Sequence, residues 1–386
     1  MAQPKPFAGR IYHPAGEGVL HGPGCRAEVA SLVARVGATR PFLVTTPSVV
    51  RAGLPGQLAS LDVVGTFDGS REHTPAPVVL KGAEAAGAAQ ADCLVSLGGS
   101  SVVDLTKGIA MVLAEGDNLG QLRMRHEPGG GTHRPRLEGS KLPHIAVPTT
   151  LSGAEFTGAA GITDPEIGEK QLYSDPKLTP RWVVFDPELA RHTPASLWAG
   201  TGMKLLADCL EVTCSRRGTP LTEACALGAL RLLVDHLPPA TADPDDLDAR
   251  SYCQFAVTMA LPQLAAVGVG LVAAFRHQLG GALGVPHGVA STIMLPHVLR
   301  WNLPVADEPL GRAATALGLD GPAALVDRLE ALTDQLGLPR RLRDVDVAEK
   351  DLAMVATHAL HDPSSTSNIR RPESVDQLEG LLAAAW

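Results

Sequence analysis

The chain has 386 residues, 45% of them hydrophobic, enough for two domains with substantial cores. Its formal net charge of −8, without a basic stripe, argues against nucleic acid or an anionic membrane surface as partner. Six irregularly spaced cysteines make neither a disulfide framework nor a zinc pattern; they read as reduced thiols, and with no signal-peptide pattern the expected location is the cytoplasm.

Residues 8–20 pattern as a hairpin of short strands, followed by a turn at Gly22-Pro23-Gly24 before a helix. The apolar run from Phe42 to Thr46 stops at Pro47, and Val63 to Phe67 repeats it ahead of a polar turn over 68–75. An Ala-rich helix is predicted from Val78 to Gln90. Asp92 to Leu97 then reads as a strand, Gly98-Gly99-Ser100-Ser101 as a turn and Val102 to Leu113 as a helix. Residues 126–140 pattern as an irregular surface loop, while Ile145 to Pro148 and Trp182 to Asp186 add strands. Such alternation indicates a parallel sheet with helices on its faces. Past Leu189 the pattern turns helical, which predicts an α/β domain over 1–190 and an all-α domain over 191–386. An acidic, proline-containing surface connector is expected from Pro238 to Asp248. The uncharged stretch from Phe255 to Phe275 has the length of a membrane span, but Pro262, Gln263 and glycines interrupt it. A buried helix pair is the reading, and no membrane contact is expected.

Gly98-Gly99-Ser100 lies between a strand and a helix, where backbone N–H groups and the helix N-terminus suit a pyrophosphate. The pattern is not Gly-x-Gly-x-x-Gly, so the turn alone does not specify a dinucleotide. Asp104 and Lys107, one turn on, have the spacing of a solvated helix pair. Thr149 and Thr150 end another strand and offer hydroxyls to the same ligand, or else cap a helix. In the second half, Lys204 and Asp208 stand four apart on one helical face, the spacing of an ordinary surface salt bridge. His277 sits alone on an apolar helix, where a satisfied core histidine is the plain reading. His287 follows a Gly-rich turn.

Taken in order, Leu97 to Asp104, Pro148-Thr149-Thr150 with Glu155, Phe185 to Leu189, Gly202-Met203, Pro286 to Val289 and Leu295 to Leu299 resemble the iron-containing alcohol dehydrogenase family over nearly the whole chain. Phe67-Asp68, His73-Thr74-Pro75 and Asn368 to Pro372 are similar to its maleylacetate reductase branch. The resemblance implies a dehydroquinate synthase-like fold, with an N-terminal dinucleotide-binding parallel-sheet domain, a C-terminal helical domain and a cleft between them. It also implies a homodimer and a nicotinamide cofactor, NAD(P)H, with Gly98, Gly99 and Ser100 on the pyrophosphate and Thr149, Thr150 and Lys170 along the nicotinamide side. The family's four metal-ligand positions fall on Lys204, Asp208, Ala273 and His287. An ammonium stands where a ligand is expected and a methyl group replaces another, so no metal is expected.

The expected catalytic set is therefore Lys204 as electrophile, Asp208 as its anchor, and His277 with His287 as proton donor and shuttle. Arg276, Arg300 and Arg371 read as solvated surface charge, with substrate carboxylate binding as the other role. The leading function is a metal-independent, NAD(P)H-dependent reductase of a small carbonyl or enone. The alternatives are a non-redox lyase, cyclase or isomerase using the same four residues, and a binding protein without turnover.

Overall fold

In the computed structural model, residues 16–58, 60–126, 132–166 and 169–386 are described. The apolar runs become strands β1 (Gly18–His21), β2 (Pro41–Val44), β3 (Gly65–Phe67) and β4 (Cys93–Gly98). After them come the short pair β5 (Arg125–His126) and β6 (Thr132–His133), then β7 (His144–Pro148), β8 (Ala159–Asp164), β9 (Glu169–Ser174) and β10 (Trp182–Phe185). The main sheet has the order β1-β10-β7-β4-β2-β3, every neighbouring pair parallel. β2, β4, β7 and β10 are buried along their whole length, because helices cover both faces. Successive residues alternate between two cores: Phe42, Val44 and Leu94 enter one, while Leu43, Cys93, Val95 and Leu97 enter the other.

The helices of this half are α1 (Val29–Arg35), α2 (Pro47–Arg51), α3 (Ala76–Ala88), α4 (Ser100–Glu115), α5 (Leu119–Leu122) and α6 (Pro187–Ala190). α3 and α4 pack on each other, and Gly82 and Gly108 make room for Ile109 and Val79 at that contact. The second half is helical: α7 (Ala195–Thr213), α8 (Pro220–Ala242), α9 (Leu247–Val267), α10 (Leu271–Leu283), α11 (His287–Ala316), α12 (Pro322–Gln335), α13 (Leu352–His361), α14 (Pro363–Ser367) and α15 (Val375–Ala385). Two compact units result. One runs up to Thr193 and includes Pro244–Gln254; the other comprises Pro194–Asp243 and Phe255–Trp386. Within the helical unit α7 packs on α8 and α11. α7 and α11 cross at Gly200 and Gly288, where a Cβ on Gly288 would lie 2.4 Å from the Gly200 carbonyl oxygen.

Several local expectations change. Residues 8–15 of the expected hairpin lie outside the described residues, and its described part, β1, pairs in parallel with the distant β10. That pairing satisfies the ladder on one side of the edge strand, which no adjacent sequence announces. Part of the expected loop over 126–140 lies at 127–131, outside the described residues; around it, β5 and β6 pair antiparallel. The β8–β9 hairpin was not expected, because its apolar alternation is weak at the Lys170 end. The expected connector is largely helix: Pro238 and Pro239 lie inside α8, where burial of Leu237, Pro238 and Ala240 offsets the lost backbone bonds. The uncharged stretch is a helix pair broken at Gly268, with φ of 78°, although Phe255 is 46% exposed. Among the described residues no helix is long and apolar enough to cross a membrane. All six cysteines are free thiols.

Candidate functional site

The N-terminal unit presents a turn built around two glycines. β4 ends at Gly98, whose φ of 149° favours glycine, and a Cβ there would meet Val102 Cγ2 at 2.7 Å. Gly99 is the N-cap of the 16-residue α4 and makes no side-chain cap bond. A Cβ on Gly99 would sit 3.1 Å from Thr150 Cγ2, so both glycines keep side-chain bulk out of the turn. Ser100, the first helical residue, is exposed. An uncapped N-terminus of a long helix with a bare approach fits a pyrophosphate.

The loop after β7 is tied to this turn. The Thr149 N–H donates to the Gly98 carbonyl at 3.0 Å, and the Thr193 hydroxyl donates to the Thr149 carbonyl at 2.7 Å. The Thr150 hydroxyl donates to Ser152 Oγ at 3.2 Å. Both threonines are buried, and the 3-10 turn that follows, Ala154–Phe156, has Gly153 as its N-cap, so neither caps a helix. Thr45, at the end of β2, donates its hydroxyl to the Leu97 carbonyl at 2.8 Å and fastens the ends of β2 and β4 together. The strand order changes direction at this pair, the place where open α/β sheets hold ligands.

Lys170 stands on β9 opposite Thr163 and is exposed. Its stem passes over Gly161, where a Cβ would come 2.1 Å from Lys170 Cε; the Gly161 N–H donates to Asp104 Oδ2 at 3.2 Å. Lys107 overturns the expectation of a solvated pair. It is fully buried, donates to the carbonyls of Ala154 and Ala159 at 2.7 Å each, and is 3.9 Å from Asp104. Burial lowers its pKa, against the opposing pull of Asp104 and Glu155. It clamps the segment after β7 to α4, a role invisible to a reading based on local spacing.

In the helical unit the centre is Asp208. It is fully buried, its Oδ2 lies 2.6 Å from Lys204 Nζ, and its Oδ1 accepts from Arg276 Nη1 at 2.6 Å. Lys204 is 15% exposed, so the pair is not an ordinary surface salt bridge. The expectation of a solvated Arg276 is also wrong: its guanidinium is buried against Asp208 from the neighbouring α10. Burial pushes the Asp208 carboxyl up, but the charges of Arg276 and Lys204 outweigh it and hold it below the usual range. Glu211, one turn further along α7, accepts the Val272 N–H at 2.7 Å and the Ala273 N–H at 3.4 Å, capping α10. Burial is the main reason its carboxyl is pushed up to about 7. Asn368 accepts the Leu271 N–H at 3.2 Å and exchanges amide bonds with Asn302.

His277 is not a core histidine. Its side chain is 41% exposed and its Nδ1 lies 3.0 Å from Asp362 Oδ2. The rings of His277 and His287 are centred 6.2 Å apart. Gly280 makes this possible, since a Cβ there would reach His287 Cδ2 at 2.7 Å. Lys204 lies one turn beyond Gly200, the residue that meets Gly288 beside His287. Arg300 pairs with Glu330 through two bonds of 2.8 and 2.7 Å, as surface charge does. Ala273 is fully buried and offers no donor atom. Among the described residues no three His, Cys, Asp or Glu side chains converge closely enough to hold a metal ion. Sequence reasoning missed Glu211 and Asp362. Asp362-Pro363 does carry a helix-start signal, and Asp362 caps α14, but nothing local points it to His277.

Comparison with known proteins places this geometry in context. Residues 17–187 match the family described as iron-containing alcohol dehydrogenase, and residues 198–386 match the C-terminal part of the Fe-containing alcohol dehydrogenase family. The chain is 31% identical over 364 residues to the NAD-dependent methanol dehydrogenase of Bacillus methanolicus, covering 90% of this chain and 93% of that one. It is 30% identical over 371 residues to the maleylacetate reductase of Sphingobium indicum, covering 95% and 96%. Among solved structures, a 1,3-propanediol oxidoreductase superposes with a TM-score of 0.90 at 28% identity, covering 98% of this chain and all of the other.

Proposed function

This chain belongs to the iron-containing alcohol dehydrogenase family of NAD-dependent oxidoreductases, and from that premise we propose that it is a metal-independent, NAD(P)H-dependent reductase of a small ketone, enone or aldehyde. The observation that carries the proposal is the buried Asp208 with a cation on each oxygen. A divalent ion needs about three protein ligands even at an open catalytic site. Here the oxygens of Asp208 face Lys204 and Arg276, Ala273 has no donor, and His287 is what remains of the expected set. These residues do not fit the ion.

A positive charge fixed at this place has chemistry of its own. The Lys204 ammonium, anchored by Asp208, is a preorganised donor for the negative charge that grows on a carbonyl oxygen. Arg276 keeps Asp208 ionised while the ammonium shares its protons with substrate. His277 supplies the proton and His287 relays it. NAD(P)H, when bound, supplies the hydride. The Gly98-Gly99-Ser100 turn and the N-terminus of α4 would hold its pyrophosphate, with Thr149, Thr150 and Lys170 along its nicotinamide side. We take the working assembly to be a homodimer, which light scattering tests.

The decisive experiment pairs metal analysis of the purified protein with NADH and NADPH oxidation against keto acids, enones and aldehydes. Turnover without stoichiometric metal, unchanged by a chelator, is expected. Stoichiometric iron or zinc whose removal abolishes turnover would overturn the reading. Cofactor binding without hydride transfer to any of the panel would favour non-redox acid–base chemistry on the same residues.

A further inference from the structure

His277 leaves α10 beside a carboxylate 85 residues away in the chain, that of Asp362. Asp362 is firmly held. Its Oδ1 accepts the Ser364 N–H at 2.8 Å, and its Oδ2, 3.0 Å from His277 Nδ1, also accepts from Gln278 Nε2 at 3.1 Å. The carboxylate side chain is 9% exposed while the imidazole is 41% exposed, so the pair has a buried anchor and an open ring. When Nδ1–H is given to a carboxylate, the ring is fixed in orientation and Nε2 is turned away from the anchor. Burial alone would raise the Asp362 carboxyl, but the bond and charge of His277 and the Ser364 N–H outweigh it, so it remains an anion at neutral pH.

The surroundings of His277 leave this pairing dominant. Arg276, its chain neighbour, is turned to Asp208. Of the elements packed on α10, α14 carries no charged residue, and α13 carries His358 and His361, both exposed. On α7, Lys204 and Asp208 form one network with Arg276, and Glu211 caps the first turn of α10. On α11, Arg300 is paired with Glu330, His297 feels that same pair, and His287 stands 6.2 Å from the His277 ring.

We propose that Asp362 is a positioning residue that orients His277 as proton donor of the reduction, with Nε2 presented to the substrate oxygen. The inference rests on the reductase reading. In the step, the carbonyl carbon gains a hydride from the reduced nicotinamide, which is left oxidised, and the C=O π pair moves to oxygen. That oxygen takes the proton leaving His277 Nε2. The neutral ring then regains a proton from solvent by way of His287, whose ring is centred 6.2 Å away. The carboxylate at Nδ1 holds the ring in the orientation that presents Nε2.

Asp362→Asn tests this, because Asn keeps the α14 cap and the shape while removing the charge. In the reductive direction, kcat should fall about 10- to 100-fold. KM for the carbonyl substrate should change by no more than about threefold, so that the loss falls on kcat. The dissociation constant of NAD(P)H, read by fluorescence, should stay unchanged. The double variant with His277→Gln should be no slower than His277→Gln alone, because the carboxylate acts through the ring. An unchanged kcat in Asp362→Asn overturns the proposal, and so does a double variant whose losses multiply. If Asn disturbs folding, Asp362→Ser, another N-capping residue, carries the same test. A failure of the Lys204 reading looks different: it appears as metal dependence or an inert Lys204 variant, with the Asp362→Asn effect intact.

Discussion

Replacing Lys204 by Met keeps the apolar stem and removes the ammonium. Its partner Asp208 is fully buried, and the two charges are 2.6 Å apart. Deleting one partner of a buried pair typically costs about 3–5 kcal/mol, because the other is left uncompensated. Here Arg276 still holds the second carboxylate oxygen at 2.6 Å, and Lys204 is itself partly exposed. The expected loss of stability is therefore about 2 kcal/mol. The catalytic loss is separate. A preorganised donor aimed at a developing oxyanion is worth roughly 10²–10³ in kcat. The two effects separate by measurement: thermal unfolding reads the first, and steady-state consumption of reduced nicotinamide well below the unfolding temperature reads the second. Cofactor affinity should not change, and Lys204→Arg, which keeps the charge in a different shape, should fall between parent and Met variant. A Met variant with kcat within about threefold of the parent would remove Lys204 from the chemistry, since no such donor is worth so little.

Glu211→Gln should flatten the pH dependence of stability. Its folded-state carboxyl, pushed up from 4.5 to about 7, keeps its proton longer than in the unfolded chain, so stability falls as pH rises from 4.5 to 7, by on the order of 3 kcal/mol. The Gln variant, still able to accept the Val272 N–H, should lack this slope in denaturant titrations across that range, and an unchanged slope would assign it to another group. Asp208 acts in the opposite sense: its depressed carboxyl contributes stability above its ordinary value of 3.8 that is lost as pH falls towards and through the lower folded value, so Asp208→Asn should weaken acid unfolding's dependence on pH. Gly99→Ala brings a methyl group to 3.1 Å from Thr150 Cγ2 at the mouth of α4 and should weaken dinucleotide binding about tenfold by fluorescence titration. Equal affinity would move the pyrophosphate elsewhere. Lys107→Met removes the buried ammonium that donates to the carbonyls of Ala154 and Ala159 and should cost about 2–3 kcal/mol in unfolding experiments; a neutral result would mean that water replaces the ammonium.

The features legible in the chain were those written at short range. Apolar runs ended by glycine or proline specify strands, and the Gly98-Gly99-Ser100 turn announces itself because steric freedom belongs to the residue. The four-residue spacing of Lys204 and Asp208 likewise puts them on one face of any helix. What that face meets is not written locally. Arg276 looks like any exposed cation until α10 is packed beside α7 and its guanidinium loses solvent to Asp208, 68 residues away. Lys107 becomes a buried clamp only when the segment after β7 folds over α4, and His277 gains its carboxylate only when the start of α14 arrives next to it. Residue type and periodicity decide which elements form, because turns, caps and side-chain period are set by a few neighbouring bonds. Burial decides which charges pair, because a charge withdrawn from water must find its partner wherever in the chain that partner lies.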